Sequence, residues 1–172
     1  MRAGETPTPS TIEGWLAELD LGPAERLERE SVASWDLRLD GRRRFDIRVT
    51  VILDPSTAAF VWAHLAPPIS DSFRVSYRRL LRWNDEFPLV KFALTGDDRP
   101  TLTVEMPLDR LDCDELGLAV ARVLAICDLL LEETAGWAFS GGRIPDWSGR
   151  TSRQAALLDR YASRLGELAG PR

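Results

Sequence analysis

Tyr77-Arg-Arg-Leu80-Leu81-Arg-Trp83-Asn84-Asp-Glu-Phe-Pro88-Leu-Val90-Lys91-Phe92-Ala-Leu94-Thr95-Gly96-Asp-Asp-Arg-Pro100-Thr101-Leu102-Thr103-Val104-Glu105-Met106 is the stretch whose reading decides the fold. Its first part has helical spacing. Asn84 to Pro88 stops that helix, because proline disfavours helical geometry in the residue before it and has no N–H to donate. Beyond the proline, Val90, Phe92 and Leu94 alternate with Lys91, Ala93 and Thr95, the period of a half-buried strand. Gly96 to Pro100 is turn composition, and Leu102, Val104 and Met106 then alternate with Thr101, Thr103 and Glu105. Setting Thr95 opposite Thr101 pairs Val90 with Met106, Phe92 with Val104 and Leu94 with Leu102 on one face, and Lys91 with Glu105 on the other. That is a one-sided antiparallel hairpin, in which each pair contributes about 0.2–1 kcal/mol.

Downstream, Asp112 is a good N-cap, Glu115 completes a capping box, and Leu111 and Leu116 flank the cap as a hydrophobic staple would. Leu116, Val120, Val123, Leu124, Cys127, Leu130 and Leu131 form one apolar stripe, and Gly136 is the expected stop. Upstream, Ser10 and Glu13 form another capping box before Ile12, Trp15, Leu16 and Leu19, and Gly22-Pro23 ends that helix. Ala24 to Glu30 is highly charged and reads as a helical turn or a loop.

Two strands follow, Ala33 to Leu39 and Phe45 to Leu53. Placing Leu39 opposite Phe45 sets Asp36 against Arg48 and Arg38 against Asp46. Between these strands, Arg42-Arg43-Arg44 reads as a solvated loop. Asp54-Pro55-Ser56 turns the chain into Ala58 to Leu65, which is apolar on both faces: Phe60 and Trp62 on one, Val61 and Leu65 on the other. Such a strand is usually covered on both sides. The C-terminal segment, a second subunit or a bound peptide would serve as its second cover. Asp71 or Ser72 caps the next helix, which carries Phe73, Tyr77, Leu80 and Leu81.

The runs Leu80-Leu81-Arg-Trp-Asn84, Pro88-Leu-Val-Lys91-Phe92 and Val104-Glu-Met-Pro107, followed by Leu111-Asp-Cys-Asp-Glu115-Leu, resemble the YbjN-like domain. That group of sensory-transduction regulators is similar in fold to the secretion chaperones of type III systems. The resemblance covers most of residues 10–135. Residue patterns alone give an α+β fold in the order helix, three strands, helix, two strands, helix. The resemblance implies an antiparallel five-stranded sheet with helices on one face, and it adds homodimerisation as an expectation.

The 172 residues divide into a flexible tail (1–9), the YbjN-like domain (10–136) and an extension (137–172) packed on that domain. In the extension, Trp137, Phe139 and Trp147 sit in a glycine-rich connection, where they either pin the extension to its own domain or contact a partner. Thr151 and Gln154 cap a last helix with a Leu157, Leu158, Tyr161, Leu165 and Leu168 stripe, ended by Gly170-Pro171. A hydrophobic content of 44% and charged content of 28% are those of a globular protein. A net charge of −5 argues against nucleic acid or an anionic membrane as partner. The start lacks the basic and apolar regions of a signal peptide, and no apolar run reaches membrane-spanning length. Cys113 and Cys127 fall on one helix about 21 Å apart, too far to bridge, so a reduced, cytoplasmic protein is expected.

The chemistry-bearing residues are sparse. His64 is the sole histidine, and no second histidine stands by for metal or nucleophile chemistry. Cys127 reads as packing and Cys113 as a surface thiol or, at a helix N-terminus, one of lowered pKa. Asp97-Asp98 reads as a turn, and Gly141-Gly142 lacks the rest of a phosphate loop. Together with this sparseness, the resemblance implies a non-enzymatic protein-binding module without metal or cofactor, a peptide-binding chaperone or regulatory adaptor. Phe60, Trp62, Trp137, Phe139 and Trp147 are its candidate partner or dimer contacts. The alternative is a small metabolite sensor or enzyme with a carboxylate or arginine pocket.

Overall fold

Trp35, Leu37 and Leu39 on one strand, Val49, Val51 and Leu53 on the next, and Val61 and Ala63 on a third form a continuous buried face. A computed structural model describes residues 6–69 and 73–169. Its elements are α1 (Pro9–Glu18), β1 (Glu25–Arg29), β2 (Val32–Leu39), β3 (Ile47–Leu53), β4 (Ala59–His64) and α2 (Phe73–Glu86), then β5 (Lys91–Leu94), β6 (Pro100–Met106), α3 (Cys113–Leu129), α4 (Leu131–Ala138) and α5 (Ala155–Arg160). A 3-10 stretch, Ala162–Ala169, follows α5. The fold is α+β, with six strands in the order β1-β2-β3-β4-β6-β5 and every neighbouring pair antiparallel.

Helix α3 is buried almost all round, as a helix between two layers must be. It packs on β4 and β6 on one side and on α1, α5 and the 3-10 stretch on the other. A Cβ on its Gly117 would strike Tyr161 and Leu19, so glycine lets the outer layer approach. Helix α2 lies by β5. There Asn84 accepts the Phe92 N–H at 2.7 Å and donates to the Phe92 carbonyl at 3.1 Å, acting as a substitute strand partner at the sheet edge.

Several expectations are corrected. The sheet has six strands rather than five, because Glu25–Arg29 is β1. All five of its residues are exposed and charges dominate, so it has no apolar alternation to betray it. Both hairpin registers are shifted by two residues. Phe92 faces Leu102 and Lys91 faces Thr103, although Lys91 still reaches Glu105 at 2.6 Å. The loop between β5 and β6 is shorter than read: Asp98 takes φ 60°, and Thr95 bonds Arg99 through both its backbone and its hydroxyl. Likewise Leu39 faces Ile47, which puts Arg38 opposite Arg48 and Asp36 opposite Thr50. A shift of two keeps every side chain on its face, so alternation could not have exposed either error.

The cause of the second shift is the loop from Asp40 to Asp46. The Asp128 carboxylate on α3 accepts the backbone N–H groups of Arg42, Arg43 and Arg44, at 2.6, 2.9 and 2.7 Å. Arg44 is buried rather than solvated, and its guanidinium donates to the Leu65 carbonyl and to Thr134 Oγ1. Arg42 and Arg43 do remain exposed, paired with Asp159 and Glu132.

Helix ends also differ. Thr8, not Ser10, caps α1 through Thr11, while Glu13 turns to Arg26 and the Trp35 indole. Asp112 caps α3 as expected, but Glu115 pairs with Arg164. The long helix breaks at Leu130 and resumes as α4. Thr151 does not cap α5, since Ser152 Oγ accepts the Gln154 N–H and Gln154 itself accepts from Asp40 N. Of the α2 stripe, Leu80 is buried, whereas Tyr77 and Leu81 are exposed and Trp83 is the core residue. The Asp71 or Ser72 cap and the Gly170-Pro171 stop lie outside the described residues.

A Cβ on Gly41 would collide with the Asp128 carboxylate. Gly41→Ala should therefore cost on the order of 3 kcal/mol by displacing that buried acceptor from its donors. A chemical melt with an unchanged midpoint would show that this anchor does not hold the loop.

Candidate functional site

Helices α2 and α3 pack on one side of the sheet, where α1 also reaches Trp35 through Glu13, and α5 packs on α3. The C-terminal segment is therefore not the second cover of β4. Register places the other side chains in rows across the open face. Leu27, Ser34, Ile52, Phe60 and Glu105 form one row, and Asp36, Thr50, Trp62 and Thr103 the next. A third row runs from Arg38 through Arg48 to His64 and Thr101.

The centre of this face is unusually apolar for a surface. Phe60, Trp62 and Ile52 are half-buried, and Leu27 is 48% exposed. Trp62 stacks on His64 with centroids 5.6 Å apart and planes 19° apart. Trp62 Nε1 and His64 Nδ1 are both buried without a hydrogen-bond partner in this stack. His64 has its pKa lowered, first by burial and then by the charge of Arg99, so the ring is neutral at pH 7.

One end of the face carries an opposed pair of arginines beside the acidic Glu25 and Asp36. Arg38 and Arg48 stand directly opposite each other, exposed, and neither has an ion-pair or hydrogen-bond partner among the described residues. Like charges in that position destabilise a sheet. With Asp36, Thr50, His64 and Arg99 they floor an open depression of about 1030 Å³, whose margin is the α1–β1 connection and Arg153. Arg99 Nε is held by Asp97 at 2.6 Å. Sequence reasoning missed the arginine pair because its register gave each arginine an acidic partner.

The five aromatic candidates do not converge. Phe60 and Trp62 share the open face. Trp137 packs edge-on to Trp83 at 5.8 Å and beneath Arg79. Phe139 and Trp147 meet at 5.7 Å, Trp147 lies 5.4 Å from Phe45, and Arg44 sits over Phe139. These rings thus make intramolecular contacts with α2 and the Asp40–Asp46 loop, though each stays half-buried.

The thiols are poorly placed for chemistry. Burial, with Glu18 adding, pushes Cys113 up to about 11, and burial pushes Cys127 up to about 11. The lowered pKa considered for Cys113 is therefore not found. Among the described residues no three His, Cys, Asp or Glu side chains group to hold a metal, and no helix is long and apolar enough to cross a membrane.

The sequence model of one family, YbjN, described as "putative bacterial sensory transduction regulator", matches residues 8–134. No curated protein matches the chain.

The single histidine makes one prediction simple. His64 should titrate with a midpoint below 6.5, so the folded form is favoured above pH 6.5 and loses stability as pH falls from there through the lowered midpoint. A histidine NMR titration checks it, and a midpoint at or above 6.5 would contradict the buried surroundings described.

Proposed function

This chain belongs to the YbjN family, and we propose that it is a non-catalytic protein-binding module, a regulatory adaptor or peptide-binding chaperone. The polypeptide it takes lies on the open face of the sheet. One observation carries the reading: Phe60 and Trp62, each half-buried, lie at the centre of the sheet face opposite the one on which, among the described residues, α2 and α3 pack. A solvated sheet face is ordinarily polar, and aromatic and arginine side chains dominate contact energy at protein interfaces. The family's description as regulators supports binding over turnover.

A second reading, a sensor of small anionic metabolites, is favoured by the unpaired Arg38 and Arg48. The openness of the depression weighs against it, since small-molecule sites enclose most of their ligand.

Pairing of two copies forms part of the proposal, placed away from this face. Helix α2 exposes Tyr77 and Leu81, and Leu89 follows it; Leu81 and Leu89 are each 69% exposed. Sedimentation should show a dimer that Leu81→Glu with Leu89→Glu converts to monomer. A wild-type mass near 19.3 kDa across micromolar concentrations would remove this part.

Binding is tested by cross-linking a captured partner and mapping the links by mass spectrometry. Links should fall on β3 and β4, and Trp62→Ala should weaken the complex by more than ~1 kcal/mol with little change in melting. Trp147→Ala should instead lower the melting point, because its ring packs on Phe45 and Phe139. Links confined to residues 137–150, with Trp62→Ala without effect, would overturn the assignment of the face. A reproducible turnover lost in His64→Gln would overturn the non-catalytic reading.

A further inference from the structure

The open face has a direction. Along the strands its rows pass from an arginine pair, through Trp62, to Phe60 and Ile52. Same-face residues of a strand are about 6.6 Å apart, and an extended segment lying along β3 and β4 presents alternate side chains at the same spacing. Side chain i would meet the arginine row, i+2 the Trp62 row and i+4 the Phe60 and Ile52 row.

We infer that the bound segment is acidic at one end and apolar beyond it, an Asp or Glu followed at i+2 and i+4 by aliphatic or aromatic residues. The inference rests on the protein-binding reading above and adds the chemistry of the partner. Charge complementarity commits it. Lys91 on this face already has Glu105, and Asp36 accepts from Thr50 Oγ1 at 2.6 Å. Arg38 and Arg48 oppose each other with no ion-pair partner, beside Glu25 and Asp36, which oppose each other likewise across β1 and β2, within a chain of net charge −5. A carboxylate between them relieves their repulsion and takes up the N–H donors of two guanidinium groups.

The test uses the full chain, 15N-labelled, with the Trp62 indole N–H assigned by loss of its signal in Trp62→Phe. The probes are three capped peptides, Ser-Glu-Ser-Leu-Ser-Leu-Ser and its Gln and Lys versions at the second position, titrated to millimolar concentration. The Glu peptide should shift the Trp62 signal and bind roughly fivefold or more tighter than the Gln peptide, with Lys weakest, and salt should erode the difference. Arg48→Glu should reverse the order to favour Lys. It should also raise the melting temperature by about 1–3 °C, because an opposed like pair becomes an opposite pair. Arg38→Gln, which only removes the repulsion, serves if Arg48→Glu folds poorly, and it should flatten the Glu preference.

Three peptides binding alike, before and after Arg48→Glu, would overturn the acidic assignment while leaving an apolar protein-binding face in place. Sodium acetate competing as well as the Glu peptide, with no change at Trp62, would mean a small-anion site and overturn it too. A dimer broken by Arg48→Glu would make a second copy the occupant. No shift at Trp62 with any peptide also defeats the inference, and the cross-link map separately decides the reading beneath it.

Discussion

One carboxylate, that of Asp128, holds the backbone of three successive residues, and the geometry of the sheet's open face depends on it. It ties the N–H groups of Arg42, Arg43 and Arg44 to the central helix. Gly41 must lack a side chain for the loop to come this close. Held so, the loop occupies Asp40 to Asp46, and β2 and β3 pair from Leu39 and Ile47 outward. That register is what leaves Arg38 facing Arg48. A shorter turn would have paired each arginine with an acid and neutralised the face.

The extension beyond the family match tightens the same loop. Asp40 is buried and takes both Nε and a terminal nitrogen of Arg153, at 2.7 and 2.9 Å, together with the Asp46 N–H. Burial works to raise its pKa, but these bonds prevail and hold it at about 2. Below that value the clamp loses its charge, and stability drawn from it is fully present only above the ordinary carboxylate range. Arg150 adds a contact over Phe45, which in turn meets Trp147. Phe139 meets Trp147 and lies under Arg44, and Trp137 packs on Trp83.

Much of the fold was legible because alternation and capping act locally. The buried faces of β2, β3, β5 and β6, the Asp112 cap and the α5 stripe follow from neighbours in sequence. Register was not legible, because Asp128 lies more than eighty positions from the loop it fixes, and Asp98 adopts a left-handed turn that composition only permits. Strand β1 escaped because an exposed edge strand needs no apolar period. For the candidate site, Phe60 and Trp62 were visible as one face of a doubly apolar strand. The arginine pair was not, since it exists only in the true register.

These points converge on one surface: an apolar centre, an end bearing an opposed arginine pair, and no element of the described chain covering it. Hydroxyl-radical footprinting of the chain with its captured partner tests this most directly, because it reads side chains rather than the already protected amides of a sheet. The account predicts that oxidation of Phe60 and Trp62 falls on binding while Trp147 is unchanged. Undiminished oxidation of Phe60 and Trp62, with protection at Trp137 or Trp147 instead, would contradict it.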